Sequence, residues 1–137
     1  MKDNLFFLYR DMNFLSRDEV YTFLDKKIST SPGLSVKNAF YEREAKGSIQ
    51  IEEGVVLPHI EDSKIKNSSI IILPLKQNIK DWNLTIKNID LIVGIVLCPA
   101  DEEAKIRVVN FIRKLANENI INQLRRLKDV SEVENIK

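Results

Sequence analysis

The chain is poor in the residues that usually announce chemistry. Its 137 residues include one histidine, one cysteine and one tryptophan. A single cysteine, Cys98, excludes an intramolecular disulfide, which fits a reducing, cytoplasmic setting. One histidine and one cysteine far apart provide no metal-ligand spacing, so neither metal nor cofactor is expected. Only four glycines are present, and they form neither a phosphate-cradling loop nor a Gly-x-Ser-x-Gly elbow. Neither charge sign dominates: 21 basic against 20 acidic residues give a net charge of +1. That balance gives no electrostatic reason to expect nucleic acid or an anionic membrane as partner. No apolar run approaches the length of a membrane span, and the N-terminal Leu5-Phe-Phe-Leu-Tyr9 run is too short for a signal peptide. There is no internal repeat and no low-complexity linker. The expectation is one domain over residues 1–137, long enough to bury a sizeable core.

What is present is hydrophobic patterning. Residues 5–9 read as a short strand or an arm packed on the core. Ser16 followed by Glu19 has the form of a capping box, and Val20, Phe23, Leu24 and Ile28 repeat at helical spacing. A helix over 17–28 follows, broken by turn chemistry at 29–33. A second helix is predicted over 35–46, with Val36, Ala39 and Phe40 buried and Gly47 as its left-handed terminator. Arg43 lies on its last turns, near the edge of the buried stripe. Residues 48–51 and 55–57 are short β-type runs around a Glu52-Glu53-Gly54 turn. Pro58 ends the second run, which places His59 just past a strand end, at the rim of a sheet.

Residues 60–68 read as a polar loop. Residues 69–75 form a continuous apolar strand in which Pro74 marks an end or an edge position. Residues 76–87, with Trp82, read as irregular, and residues 89–97 as a second buried strand. Asp101 then caps a helix carrying Ile106, Val109, Ile112 and Leu115 on one side. A shorter helix covers 117–127, and Ser131 with Glu134 suggests a last capping box. Helices before and after two buried strands predict an α/β fold: three layers, with a mixed central sheet flanked by helices on both faces.

Few side chains qualify as chemical groups. Cys98 closes an apolar strand, where a core role outweighs a Cys/His nucleophile pair. Trp82 reads as a core-edge residue before a stacking platform. The scattered carboxylates read as solvated helix faces. His59 stands alone: an imidazole that is either a structural, hydrogen-bonded residue or a reactive one.

A resemblance separates those alternatives. Gly54-Val-Val-Leu-Pro-His59 resembles the active-site segment of enzyme IIA domains of the fructose/mannitol class of the bacterial phosphoenolpyruvate-dependent sugar phosphotransferase system. Upstream, Glu42-Arg-Glu-Ala-Lys-Gly-Ser48 resembles the same family's Glu-Arg-Glu-Ala-x-Gly-Ser segment. The spacing from Arg43 to His59 fits without a gap, and weaker similarity extends over the chain. The resemblance implies that His59 accepts a phosphoryl group from the histidine-containing phosphocarrier protein and passes it to a cysteine of an enzyme IIB domain. Arg43 would match the family's functional arginine. The chemistry is coherent: a neutral imidazole offers one free nitrogen, and a guanidinium fork suits phosphate oxygens. An apolar rim for docking is expected from Val56, Leu57 and Ile60.

One position departs from the pattern. Many members carry a second histidine at the start of the helix after the last long strand, and Lys105 stands there instead. It is either a charge partner for the phosphoryl group or a solvated helix lysine. The departure keeps a second reading open, a regulatory phospho-sensor domain of the same fold related to sugar-operon transcriptional regulators. A structural module with an unused histidine is a third.

Overall fold

The two continuous apolar runs become the longest strands, and the rest of the chain wraps both of their faces. The computed structural model describes residues 5–28 and 33–135. In chain order the elements are β1 (Phe6–Leu8), α1 (Arg17–Lys27), α2 (Lys37–Ala45), β2 (Gln50–Glu52), β3 (Val55–Val56), β4 (His59–Glu61), β5 (Ser69–Asp81), β6 (Lys87–Leu97), α3 (Glu102–Lys114) and α4 (Glu118–Arg125). A 3-10 turn over Val130–Asn135 follows. No helix among the described residues is long and apolar enough to cross a membrane.

The sheet runs β1-β5-β6-β3-β2, with β4 also on β6. β5 and β6 are antiparallel, while β1 on β5 and both β3 and β4 on β6 are parallel. The sheet is therefore mixed, as expected. Alternate residues of each strand feed different cores. Ile71, Leu73, Ile92 and Val96 pack with Val20, Tyr21, Leu24 and Phe40 of α1 and α2. Ile70, Ile72, Leu91, Val93 and Ile95 pack with Ala104, Val108, Phe111 and the α4 residues Ile120, Ile121 and Leu124. That period-two split gives three layers, helix–sheet–helix, and explains why the strands read as unbroken apolar runs. Gly94 lets α1 approach: a Cβ there would stand 3.2 Å from Leu24 Cδ2.

Local signals worked where they were self-contained. Ser16 caps α1 through Glu19 N–H, and the Glu19 carboxylate accepts from Leu15 N–H. Asp101 caps α3 through Ala104 N–H at 3.0 Å. The turn between β2 and β3 is built on Gly54, at φ +83°.

Several expectations are corrected. Gly47 does not adopt a left-handed conformation; α2 ends one residue earlier on Lys46 in the right-handed helical region. The second helix also starts later, because Asp25 of α1 accepts from Val36 N–H and holds that residue as the cap. The expected loop at 60–68 contains β4, whose short length and single buried residue, Ile60, hide it from any pattern. Residues 76–81 are not irregular but prolong β5 past Pro74. A register shift between Pro74 and Ile79 absorbs the proline, and Ile79 alone of those residues is buried, so no alternation is visible. On α3 the inward side is Ala104, Val108 and Phe111, while Ile106, Val109 and Ile112 are 63%, 46% and 37% exposed. At the C-terminus the local cap is Asp129, which accepts from Ser131 N–H, with Glu132 accepting from Lys128 and Asp129 N–H. The side chain of Glu134 lies outside the described residues, as does the predicted breaker at 29–33 except Gly33.

Gly54 is the most constrained turn residue. Its carbonyl accepts from Asp90 and Leu91 N–H, and a Cβ would lie 3.2 Å from both Arg125 Nη2 and Asp90 Oδ1. Arg125 in turn donates to Asp90 and to the Glu53 carbonyl. Gly54→Ala combines a left-handed alanine with a crowded ion pair. It is expected to lower stability by about 1–3 kcal/mol, read as a lower urea midpoint at unchanged slope.

Candidate functional site

His59 lies past the end of β3 and itself opens β4. Its strand neighbour is Ile95 of β6. The sequence folds this way because Pro58 interrupts pairing between Val56 and His59 without letting the chain leave β6. Leu57 N–H donates to the Ile49 carbonyl at 2.8 Å, and the Pro58 carbonyl accepts from Ile95 N–H at 2.8 Å. The Leu57–Pro58–His59 backbone is thus fixed on both sides. Ile60 points into the α1/α2 core. By strand alternation His59 and Glu61 project to the other face, toward α3.

Arg43 comes from the last turn of α2 and reaches the open edge of β4. Its Nε–H donates to His59 Nε2 at 3.0 Å, and its Nη1 donates to the Gly47 carbonyl at 3.1 Å. A guanidinium can only donate, so Nε2 is the ring's acceptor nitrogen. The proton is therefore on Nδ1, which lies 2.9 Å from the Leu57 carbonyl and donates to it. Both ring nitrogens are specified. Nε2 holds the lone pair, at the half-buried mouth of the site, beside a cation.

Lys105 is not brought onto His59 by any contact in the structure. Its ammonium sits 2.8 Å from Glu61 Oε2 and 3.7 Å from Glu102. The hydrogen bond to Glu61 is the main influence holding the Lys105 ammonium above the usual lysine range, against partial desolvation. Glu61 lies two residues from His59 on one strand, so Lys105 is tethered to the same face of the sheet by a carboxylate.

The expected docking rim is corrected. Val56, Leu57 and Ile60 are all buried, because each serves one of the two cores. Exposed aliphatic surface is found instead on α3, at Ile106, Val109 and Ile112, immediately after Lys105. Cys98 follows β6, donates its N–H to Ser68 Oγ, and packs against the α1/α2 core. Trp82 is buried at the edge of that core. Among the described residues no group of three His, Cys, Asp or Glu side chains is placed to hold a metal ion.

Sequence reasoning missed Glu44. Its side chain is 6% exposed and accepts from Arg17 Nη1, Tyr21 OH, Trp82 Nε1 and Asn83 Nδ2. Burial, then the Glu44 carboxylate, push the Tyr21 phenol well above its usual range, so it remains a donor. The available signal was positional: Val36, Phe40 and Glu44 recur every four residues, which puts the carboxylate on the buried stripe.

A family profile described as "Phosphoenolpyruvate-dependent sugar phosphotransferase system, EIIA 2" matches residues 4–136. The chain belongs to this family. No curated protein matches it at a significant level. Solved structures share the fold at low identity. Nitrogen regulatory protein IIA-Ntr from Neisseria meningitidis superposes with a TM-score of 0.69 at 20% identity, covering 94% of this chain and 91% of that one. IIA mannitol from Escherichia coli gives 0.66 at 15%, with 94% of each chain covered. The E. coli mannitol IIA enzyme, in a complex with phosphorylated mannitol IIB, gives 0.66 at 16%, covering 96% of this chain and 97% of that one.

The site makes a prediction independent of any partner. In 15N NMR of the neutral protein, His59 is expected as the Nδ1–H tautomer, the opposite of the usual preference of a free imidazole. Arg43→Ala should release Nε2 and let the Nε2–H form appear. A wild-type Nε2–H signal would contradict the geometry.

Proposed function

We propose that this EIIA domain, spanning residues 1–137, is a cytoplasmic phosphohistidine carrier. His59 takes a phosphoryl group from the histidine-containing phosphocarrier protein and passes it to a cysteine of an enzyme IIB domain. One observation carries the reading: Nε2 is held as the acceptor nitrogen by Nδ1–H on the Leu57 carbonyl, with the Arg43 Nε–H 3.0 Å away.

The step is simple in balance. The Nε2 lone pair attacks phosphorus, an N–P bond forms, and the donor's own P–N bond breaks. Arg43 Nε–H leaves the lone pair and turns its fork to the phosphoryl oxygens, where developing charge needs donors. The Leu57 carbonyl keeps Nδ1–H in place while the ring carries positive charge. Transfer to IIB reverses the step, with a thiolate as nucleophile. Positioning and charge stabilisation suffice for such transfer, and neither metal nor cofactor takes part.

Both partners must dock over the same nitrogen. The exposed stripe Ile106, Val109 and Ile112 supplies an apolar surface that starts beside Lys105 and Glu61. Neither nucleic acid nor membrane insertion has a part in this reading. A second reading is favoured by Lys105. It replaces a titrating second histidine with a permanent cation paired to Glu61, which suits a sensor domain that holds its phosphoryl group without passing it on.

The test is phosphorylation by phosphoenolpyruvate, its kinase and the phosphocarrier, followed by intact mass. An acid-labile gain of one phosphoryl group is expected. His59→Ala should abolish it, and no gain in wild type beside a working control would sink both readings. Arg43→Ala should slow it by about a hundredfold with the fold intact; an unchanged rate would make Arg43 structural. Adding a cognate IIB domain then divides the readings, since discharge marks a carrier and a persistent phosphoprotein a sensor. Val109→Glu should raise the phosphocarrier concentration needed for half-maximal rate. An unchanged value would remove α3 from the docking surface.

A further inference from the structure

We propose that Glu44 is a positioning residue for the Arg43–His59 pair, acting as the bolt that sets the rotation of the last turn of α2. The proposal rests on the phosphocarrier reading of His59 for its catalytic consequence, and on geometry alone for its structural one.

Successive residues of a helix are about 100° apart around its axis. Fixing the direction of Glu44 therefore fixes that of Arg43. Glu44 is held from two separate segments of the chain. Arg17 and Tyr21 come from adjacent turns of α1, and Trp82 and Asn83 come from the turn joining β5 to β6. The distances from Glu44 Oε2 are 3.1 Å to Arg17 Nη1, 3.1 Å to Trp82 Nε1 and 2.8 Å to Asn83 Nδ2. Tyr21 donates to the other oxygen, Oε1.

The donors are themselves braced. Tyr21 stacks on Phe40 with ring centroids 5.0 Å apart and meets Trp82 edge-on at 5.6 Å. Asn83 Oδ1 accepts from Ile86 and Thr85 N–H, so its amide nitrogen faces Glu44 as part of a closed turn. A carboxylate so enclosed cannot rotate without stranding several donors at once.

α2 needs such a device. It has nine residues, Phe40 is its one buried residue, and its end is a right-handed Lys46 without a glycine terminator. Arg43 has to place Nε within hydrogen-bond reach of one nitrogen on a different element. A displacement of about 1 Å at such a group costs on the order of a hundredfold in rate. Glu44 touches neither ring nor phosphoryl group, and acts through Arg43.

The deciding variant is Glu44→Gln, which preserves shape and keeps one accepting oxygen. Its control is Ile121→Ala, a core truncation under α4 on the opposite face of the sheet. Both are compared with wild type at a temperature where each is folded by amide NMR. The first readout is the Arg43 Nε–H signal, protected from exchange by His59 Nε2 in wild type. It should lose that protection in Glu44→Gln and keep it in Ile121→Ala. The second readout is phosphorylation. Glu44→Gln should lose about tenfold or more in rate at saturating phosphocarrier, with the half-saturating concentration unchanged. Ile121→Ala should hold its rate.

An unaltered Arg43 signal in folded Glu44→Gln overturns the proposal, as does equal loss in the control. If wild type takes up no phosphoryl group, the phosphocarrier reading fails and the NMR comparison alone decides for or against Glu44. Should Glu44→Gln not fold, Tyr21→Phe removes one donor and is scored by the same signal, with intermediate loss of protection expected and full protection overturning the proposal.

Discussion

Two-sided burial of β6 is the constraint on which the structure depends. This strand bonds to β5 on one side and to β3 and β4 on the other. Its residues alternate between cores, Ile92 and Val96 under α1 and α2, Leu91, Val93 and Ile95 under α3 and α4. A slip of one residue would exchange the two sets and present every side chain to the wrong helices. The register is therefore fixed by packing on both faces. His59 inherits that precision, because its own strand is placed by pairing with Ile95. The His59 imidazole is half-buried at an edge, yet its backbone is as determined as the core.

The site adds a second principle: backbone groups do the specifying. A free imidazole exchanges its proton between nitrogens. Here the Leu57 carbonyl claims Nδ1–H, and Pro58 between them limits how far that carbonyl can turn. Arg43 completes the assignment from the opposite side of the ring. Around this pair, the turn at Gly54 is held by Arg125 and Asp90 of more distant elements, so the hairpin leading into β4 starts from a fixed point. Each feature of the Gly54–His59 segment has a physical purpose: a left-handed turn, three residues alternating between the two cores, a proline interruption and an imidazole.

Legibility in the sequence followed the range of the interaction. Ser16, Asp101 and Gly54 act within a few residues, and their caps and turn were readable from spacing alone. Ser69–Leu75 and Ile89–Leu97 were readable because double burial leaves an unmixed apolar run. What failed was anything decided at a distance. β4 is three residues long and exists because β6 offers an edge. The distal half of β5 is a polar ribbon with Ile79 as its only buried residue before the turn. α3 carries aliphatics on two sides, and periodicity cannot say which side faces the sheet; Phe111 and Val108 won that contest over Ile106 and Val109. Of the site, Arg43 and His59 were legible as a motif, whereas Glu44 depends on four partners scattered from Arg17 to Asn83. Its place on the buried stripe of α2 was visible, but a carboxylate there reads as an error until its donors are known.

On the family resemblance Lys105 stands where many members carry a second histidine, which would change the electrostatics of the proposed cycle. A phosphoryl group on an amino-acid side chain carries about −1.5 to −2 charges at neutral pH. In that cycle Arg43 alone would leave part of that charge unbalanced, and Glu61 on the same strand face would add to it. Lys105 bound to Glu61 cancels that carboxylate in the resting state. In the proposed cycle a phosphoryl group on His59 would offer the ammonium a further anion, and moving toward it would strip Glu61 of its partner. A neutral histidine in that position would impose no such competition, and it could lose or gain a proton as charge moved through the site. Lysine cannot, because Glu61 holds its proton more firmly still. In the proposed cycle a phosphoryl group on His59 would face a cation that does not switch off. On the proposed function, the balance between carrier and sensor would then depend on the Lys105–Glu61 pair as well as on His59.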